Sequence, residues 1–499
     1  MKKQNKKSGF KRTSALTLGA MGVVYGDIGT SPIYAFNEAV RAGGDTRDEI
    51  LGVLSLVFWT LTAVVSIKYL IFVLHADNKG EGGTLAMFSQ LSAKIRSGKK
   101  GLLGFTVFLF LMAAAMEFSD GILTPAISVI SAVEGIKSIN PELEYLVVPI
   151  TVLILALLFT FQFKGTHNLG KVFGPVMVTW FITLSVIGVY QIAQNPESLV
   201  ALNPIYAANF VIDHGFQTLF VMASVILAVT GAEALFADLG HFGRGPIRIG
   251  WFGLAGVALP LSYFGQGALL LRDPSKIGNS FFGMVPAGIP ALLLLLITTL
   301  ATIIASQALI SAVASLASQA SQLGLLPRLR IKHTNHEERG QIFVPFVNTI
   351  VGIGSIALVI VFGSSSALAG AYSFAIAFTM LVSTIGLILL AVSKWSRARF
   401  ILLPIFGLFL FLDLTLFTAS ATKLITGAWL PLLAGFCLAS MMWIWRKGRF
   451  ELDKRLSETS MSWAQVTRMR KSGKIAITEN VGIYPSAVTG LVPQDRKSV

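Results

Sequence analysis

Two short polar runs hold the residues of this chain that could do chemistry. Asp27 lies in residues 26–32 (GDIGTSP), and Glu233 lies in residues 230–233 (TGAE) about 200 positions later. Both runs interrupt long apolar segments. A carboxylate at bilayer depth costs about 2.5–3.5 kcal/mol on insertion scales, so it is rarely found there without a partner or a cargo. Glycine and proline beside it free backbone groups that lipid cannot satisfy but an ion can. The pattern predicts a cation site between two broken helices near the membrane midplane.

The composition requires a membrane environment for most of the chain. Of the 499 residues, 54% are hydrophobic and only 13% are charged, whereas a soluble domain carries about 25% charged residues. The mean hydropathy is +0.71. The single cysteine, Cys437, excludes a disulfide framework. We therefore predict an all-α polytopic membrane protein.

Twelve apolar segments are long enough to cross a bilayer of about 30 Å. They are residues 14–39, 50–74, 101–135, 145–162, 173–192, 216–240, 249–271, 288–322, 344–363, 367–391, 399–420 and 427–446. With the N-terminus inside, the cytoplasmic segments hold 33 of the 40 lysines and arginines. This bias follows the positive-inside rule and predicts that both termini are cytoplasmic. It explains the net charge of +15 by topology and contact with anionic lipid, without a nucleic-acid partner.

The spacing of the two breaks indicates an internal symmetry. Spans one to five and six to ten are predicted to form two inverted repeats, each opened by a broken helix, with spans eleven and twelve appended. Residues 1–446 then form one transmembrane domain. Residues 447–499 are polar and, at this length, too few for a confident core of their own, so we expect a short cytoplasmic tail.

Asp27 is the strongest candidate ligand. An ionised aspartate beside exposed carbonyl oxygens makes a hard, oxygen-rich site that suits an alkali cation, and Tyr34 can add a phenol oxygen or an aromatic face. The alternative is a buried aspartate that caps a broken helix. Rejecting that alternative needs more than the local sequence.

Asp120 and Glu233 are candidate proton carriers, because burial favours the neutral form of a carboxyl group. Asp120 lies mid-span, with Ser128 two turns further on, and the alternative for it is a packing hydrogen bond near Pro125. Glu233 is expected to face Asp27 across the site. The alternative for Glu233 is a permanent salt bridge, for which Lys68 is the plausible buried base, although its amine can extend toward the membrane surface. Glu117 and Asp413 are interpreted as local hydrogen-bonded residues. Apolar residues at helical spacing within 84–94 predict an amphipathic interfacial helix, with a surface loop as the alternative.

At these residues the chain resembles the KUP/HAK/KT family of potassium-uptake proteins. The opening run, residues 22–34 (GVVYGDIGTSPIY), is similar to the start of that family. Further blocks agree in the same order: residues 80–84 (GEGGT), 123–129 (LTPAISV), 230–242 (TGAEALFADLGHF), 306–311 (SQALIS) and 322–328 (QLGLLPR). The resemblance covers residues 15 to 445, and chance does not explain it.

The resemblance implies a leucine-transporter-like core of two inverted five-helix repeats, a homodimer and proton-coupled potassium uptake into bacterial cells, with K⁺ and H⁺ as cargo and no cofactor. The potassium-binding residues implied are Asp27, Tyr34, Ser128, Thr230 and Tyr372, with Glu233 as a further potential ligand. The acids implied in proton coupling are Glu233 and Asp120. Members usually carry a longer cytoplasmic C-terminal domain, so regulation through the tail, such as second-messenger nucleotide binding, is in doubt here.

Three other functions are alternatives, and each would need a specific sequence feature. A channel-like potassium conduit would need a filter of repeated carbonyl rings, and no such loop is present in the sequence. An amino-acid transporter of the same fold would offer free amides to a substrate carboxylate, which Asp27 would repel. A membrane enzyme would need a nucleophile with its base, and the sequence has no such set. Together with the resemblance, which implies proton-coupled potassium uptake, the sequence predicts a non-enzymatic K⁺/H⁺ symporter of the cytoplasmic membrane, with the channel-like conduit and the amino-acid transporter as alternatives.

Overall fold

The computed structural model describes residues 2–91, 101–162, 167–333, 342–395, 399–459, 461–473 and 491–492. These residues divide into two compact units. The larger comprises Met1–Gln319 and Leu329–Ala439, and the smaller comprises Ala320–Arg328 and Ser440–Val499. The larger unit contains every predicted site residue.

The structure is almost entirely helical. The α-helices are α1 (Lys2–Val23), α2 (Gly26–Thr30), α3 (Ala35–Gly43), α4 (Arg47–Leu61), α5 (Thr84–Gln90), α6 (Gly101–Val133), α7 (Val147–Phe161), α8 (His167–Gln194), α9 (Ile205–His214), α10 (Thr218–Val225), α11 (Ala232–Ala237), α12 (Leu239–Phe242), α13 (Arg244–Gly250), α14 (Gly256–Arg272), α15 (Ile289–Gln322), α16 (Pro345–Phe362), α17 (Ser365–Ser393), α18 (Arg399–Ala421), α19 (Trp429–Thr459) and α20 (Trp463–Lys471). Two-residue antiparallel ladders join β1 (Lys332–His333) to β2 (Ile342–Phe343), and β3 (Met461–Ser462) to β4 (Leu491–Val492).

Among the described residues, eleven helical segments are long and apolar enough to cross a membrane. They match eleven of the twelve predicted spans, and the last, Trp429–Arg455, runs past the domain boundary predicted at residue 446. The first predicted span is not among them, because its chain is divided between α1, α2 and α3. The twelve-span count and the inverted-repeat arrangement remain predictions.

Local chemistry sets several helix ends in the larger unit. Helix α4 begins at a capping box in which the Thr46 hydroxyl and the Glu49 carboxylate each accept from the other's backbone amide. After Leu61 the same span continues as a π-helical segment, Thr62–Phe72. Such segments are rare and are often found at functional sites.

The packed centre of the larger unit lies between the broken spans and the long helices around them. Helix α8 packs against α1 and α14, and α17 packs against α6 and α18. The side chains of Trp180, Trp251, Tyr25 and Tyr372 are fully or almost fully buried among these elements. The sequence predicted an interfacial helix at residues 84–94, and this prediction is wrong for the part that is described: α5 is buried against α6 and α17. Residues 92–94 lie outside the described residues.

Candidate cation site

The first interruption lies just before Asp27, at Val24 and Tyr25, whereas the sequence indicates an interruption within residues 26–32; Gly26–Thr30 is helical instead. Helix α1 ends at Val23 and α2 begins at Gly26, so Asp27 lies in the first turn of a new helix and is 3% exposed. The chain packs closely against Ala305 at Gly26. A Cβ atom on Gly26 would lie only 2.9 Å from the Ala305 Cα, so a larger residue would not fit there. The Thr30 hydroxyl donates to the Asp27 carbonyl over 2.9 Å.

The second break lies at Thr230 and Gly231 and touches the first. Gly231 has a left-handed φ of 86°, which glycine adopts without steric cost. A Cβ atom on Gly231 would lie 2.6 Å from the Ile28 nitrogen and 3.0 Å from Asp27 Oδ2. The hydroxyls of Ser31 and Thr230 are 2.8 Å apart. The two interruptions, distant in sequence, therefore form one site.

Replacing Gly231 with alanine should abolish most transport. The new methyl group meets backbone across the site, and the left-handed conformation is strained for alanine by about 1–2 kcal/mol. We expect at least a tenfold loss of rubidium uptake and a lower melting temperature. Gly407→Ala is the matched control, because Gly407 lies in α18 with no atom within 4 Å of the added Cβ. Equal uptake by the two variants would show that the breaks do not need to touch.

A chain of hydrogen bonds joins Asp27 to Asp120. The Tyr372 hydroxyl donates to the Asp27 carboxylate, at 3.1 Å from Oδ1 and 3.2 Å from Oδ2. The Thr124 hydroxyl lies 3.0 Å from the Tyr372 hydroxyl and 2.8 Å from Asp120 Oδ1. Helices α2, α6 and α17 thus meet at two carboxylates linked through two hydroxyls. Sequence analysis did not single out Thr124, although its position one turn after Asp120 was a usable signal.

Two further predicted ligands place polar atoms in the packed interior. Tyr34 is 2% exposed and Ser128 is fully buried, and neither hydroxyl makes a hydrogen bond of normal geometry with any residue that the structure describes. Tyr34 lies beside Thr230 and Ser31, and Ser128 lies one turn after Thr124 on α6. Burial of the unpaired Ser128 hydroxyl is costly, and a cation bound nearby would satisfy it.

Glu233 has a separate set of partners. Its carboxylate accepts a hydrogen bond from the Tyr69 hydroxyl, and the Ser383 hydroxyl lies 3.1 Å from Oε1. Asp27 and Glu233 therefore share no hydrogen-bond partner among the described residues, although both lie beside the second break. Tyr69 and Ser383 were missed in the sequence, because nothing local indicates which of many buried hydroxyls meets a given acid.

Glu233 also borders a cavity of about 70 Å³. Polar residues on its wall are Glu117, Asp120, Glu233, Asp238, His241, Ser315 and Gln319. A smaller space beside Asp27 shares the wall residues Ala234, Asp238, Leu309 and Ala312 with this cavity. The arrangement places a candidate path for an ion next to both breaks. Glu117 accepts a hydrogen bond from Thr84 on α5, so it is hydrogen-bonded as predicted, but its partner lies 33 positions away rather than nearby in the chain.

The expectations for Lys68 and Asp413 are wrong about their partners. Lys68 does not reach the membrane surface: both side chains are fully buried, and the ammonium nitrogen lies 2.6 Å from Asp413 Oδ2. Asp413 is a long-range ion-pair partner rather than a local hydrogen-bonded residue. A lysine and an aspartate inside separate apolar spans were the available signal, because such charges usually pair with one another.

Comparison with known proteins supports the membrane assignment and identifies the family. A family model described as "K+ potassium transporter integral membrane domain" matches residues 14–450. The probable potassium transport system protein Kup 1 of Rhodopseudomonas palustris is 44% identical over 486 residues, which cover 97% of this chain and 78% of that protein. The probable Kup 2 of Paramagnetospirillum magneticum is 46% identical over 456 residues, covering 90% and 70%.

Solved structures of the Eremococcus coleocola manganese transporter are also similar. The structure in complex with an aromatic bis-isothiourea substituted compound covers 87% of this chain and 94% of its own, with 13% sequence identity and a TM-score of 0.40. The family relation rests on the sequence matches alone. These sequence matches agree with the motifs around Asp27 and Glu233, and the matched proteins are transporters rather than enzymes. The chain belongs to the K⁺ potassium transporter family of integral membrane proteins.

Proposed function

We propose that this protein takes up potassium across the cytoplasmic membrane as a K⁺/H⁺ symporter. The observation that carries the proposal is the position of Asp27. Its buried carboxylate lies where the two helix breaks touch, and buried hydroxyl groups surround it. Carboxylate, hydroxyl and carbonyl oxygens are hard ligands of the kind that group 1 and group 2 cations prefer. The names of the curated relatives support potassium as the cargo.

In the proposed cycle, potassium exchanges its water for oxygen ligands at the contact between the breaks. The ligands are Asp27, Tyr34, Thr230 and freed backbone carbonyls, with Ser128 and Tyr372 beside the path. A proton occupies Glu233 or Asp120 in the same cycle. Rocking of one set of helices against the other then opens the cytoplasmic side, and both ions leave. The membrane potential favours entry by about 2.3 kcal/mol per charge per 100 mV.

The cavity beside Glu233 supports an inward-facing arrangement. Asp238 and His241 line it, and they lie close in sequence to Arg244 and Arg248. These arginines belong to a loop that the charge bias assigns to the cytoplasm. In the proposed arrangement this cavity opens toward the cytoplasm.

An amino-acid transporter on the same helices fits the site less well. In that case the glycine at the sixth-span break would leave room for a substrate carboxylate. Here Asp27 Oδ2 lies 3.0 Å from the place that a Cβ of Gly231 would occupy, so a second carboxylate would meet like charge. The arrangement favours a cation over an organic anion.

Rubidium uptake tests the proposal directly. Potassium-starved cells without other potassium-uptake systems, expressing this chain, should accumulate labelled rubidium, and a lower external pH should raise accumulation severalfold at fixed membrane potential. Uptake that ignores pH at fixed potential would support channel-like uptake without proton coupling. Uptake of amino acids instead of rubidium would overturn the potassium assignment. Cells carrying the empty vector are the control.

A further inference from the structure

A further cavity, with a volume of about 350 Å³, lies within the smaller unit, and its wall carries Arg328, Arg449 and Trp445. Many ligand sites in proteins have a volume of about 300–1,000 Å³. Arg455, six residues after Arg449, pairs with Glu451 at 3.4 Å. Among the described residues, neither arginine of the cavity wall has such a partner. The cavity therefore offers two uncompensated positive charges to an anion.

The turn after α15 fixes the chain that leads to Arg328. The Leu325 amide donates to the Ala320 carbonyl over 2.8 Å, a bond to the fifth residue back that is typical of a helix C-terminus. The Ser321 hydroxyl donates to the Pro327 carbonyl over 3.0 Å. Hydrogen bonds at both ends of the turn thus hold this part of the wall in one conformation.

The other part of the wall belongs to α19, and one face of that helix changes from apolar to basic along its length. Met441, Trp445 and Arg449 follow one another at intervals of four, so they share a face. Met441 is 49% exposed and Trp445 is 39% exposed, and Arg449 is exposed as well. The helix rises about 12 Å from the first to the last. The same order, from apolar through indole to cationic, is typical of a helix that leaves a membrane.

We propose that this cavity binds the phosphate group of an anionic phospholipid at the end of the last span. Arginine suits this ligand, because its guanidinium group can donate two parallel N–H bonds to phosphate oxygens. The acyl chains would lie along Met441 and Trp445. A zwitterionic headgroup carries a cation of its own, which Arg328 and Arg449 would repel. Lipid binding here is independent of which cation the protein transports.

The position of the cavity favours a lipid over a dissolved phosphate compound. The segment Trp429–Arg455 is long and apolar enough to cross a membrane, and the sequence predicts that its span ends near residue 446. Met441 lies before that end and Arg449 lies after it. Within residues 320–328 and 440–473, lysines and arginines outnumber aspartates and glutamates nine to three. A basic pocket at the cytoplasmic end of a spanning helix is the kind of site that holds anionic headgroups.

Binding of dioleoylphosphatidylglycerol to the full chain in detergent tests the proposal, with native mass spectrometry as the measurement. The wild type should retain this lipid and should bind dioleoylphosphatidylcholine more weakly. The double variant Arg328→Gln, Arg449→Gln should bind phosphatidylglycerol about 30-fold more weakly, because each basic side chain near an anionic surface contributes a factor of about five. Trp445→Ala should weaken binding severalfold, because the lipid then loses its contact with the indole ring.

The matched control is the double variant Arg468→Gln, Arg470→Gln. These arginines are exposed in α20 and lie outside the cavity wall, so the control loses the same charge and should bind the lipid as the wild type does. Gel filtration and the melting temperature report on folding. If the first double variant does not fold, its two single variants carry the test, each with about fivefold weaker binding.

The outcomes separate the two sources of phosphate. Phosphatidylglycerol binding that survives removal of both cavity arginines, or equal binding of phosphatidylcholine, would overturn the proposal. Inorganic phosphate or glycerol phosphate that displaces the lipid at equal concentration would assign the cavity to a dissolved phosphate compound and would also overturn it. Selective, arginine-dependent binding of phosphatidylglycerol that these soluble anions do not displace would support it.

Discussion

Replacing Asp27 with asparagine should abolish potassium uptake while the protein still reaches the membrane. Asparagine keeps the shape and can still accept from Tyr372, whose hydroxyl lies 3.1 Å from Oδ1. It removes the charge that replaces part of the hydration of the ion. Loss of about 3 kcal/mol of cation binding corresponds to a loss of roughly 100-fold in affinity, and charges interact strongly in a poorly solvated site. Rubidium uptake across a range of concentrations measures the loss.

The matched control for Asp27→Asn is Asp213→Asn. Asp213 is an exposed aspartate in α9, so its neutralisation changes net charge equally without touching the site. Expression of both variants is compared in membrane fractions and by gel filtration in detergent. Normal uptake by correctly folded Asp27→Asn protein would contradict the assignment of Asp27 as the cation ligand. The remaining interpretation would be a buried aspartate that stabilises the helix break.

Replacing Glu233 with glutamine should uncouple transport from the proton gradient. The amide mimics the protonated acid and keeps the contact with Ser383 at about the observed 3.1 Å. Potassium should therefore still bind. Because the side chain can no longer take up and release a proton, an imposed pH gradient should no longer raise rubidium accumulation. We expect slow uptake, reduced about tenfold or more, in line with the typical 10²–10⁴-fold effect of a positioned proton-transfer group.

The readout for Glu233→Gln is rubidium accumulation with and without a pH gradient at one fixed membrane potential. Glu142→Gln is the control, because Glu142 is exposed in the connection before α7. If the Glu233 variant responds to the gradient as the wild type does, Glu233 is not the proton carrier. Asp120 is then the next residue to test, because Thr124 and Tyr372 connect it to Asp27.

The relation between the two acids gives the symport proposal a physical basis. Asp27 lies at the contact between the breaks, whereas Glu233 borders the cavity and bonds with Tyr69 and Ser383. Different partners allow one carboxyl group to bind the metal ion while the other carries the proton. A single shared carboxylate would make the two cations compete. Because the two acids have separate partners, potassium and the proton can travel in the same cycle.

Local sequence determined most of the helices and the approximate places of both interruptions. The predicted spans 101–135, 288–322 and 399–420 agree closely with Gly101–Val133, Ile289–Gln322 and Arg399–Ala421. This agreement is expected, because bilayer thickness sets the length of an apolar helix. The break at Gly231 was also predictable, since glycine acts on the backbone at its own position. The first break instead falls at Val24 and Tyr25, just before the run 26–32 in which the sequence indicated it.

The same local signals failed where a helix could bury its apolar face in protein instead of in lipid. Residues 84–90 have apolar residues at helical spacing, which predicted an interfacial helix. The structure buries them against α6 and α17 instead. Amphipathic spacing shows which face avoids water, but it does not distinguish lipid from protein as the apolar partner.

Only the tertiary structure decided which distant side chains meet. Tyr372 reaches Asp27 and Lys68 reaches Asp413, each across 345 positions of sequence. Apolar spans resemble one another in composition, so the sequence contains no local record of which helix packs beside which. The cost of an unpaired charge in lipid required partners for Asp27, Lys68 and Asp413. Close packing of the helices selected those partners, because a side chain can bond only with the groups that the fold brings within reach.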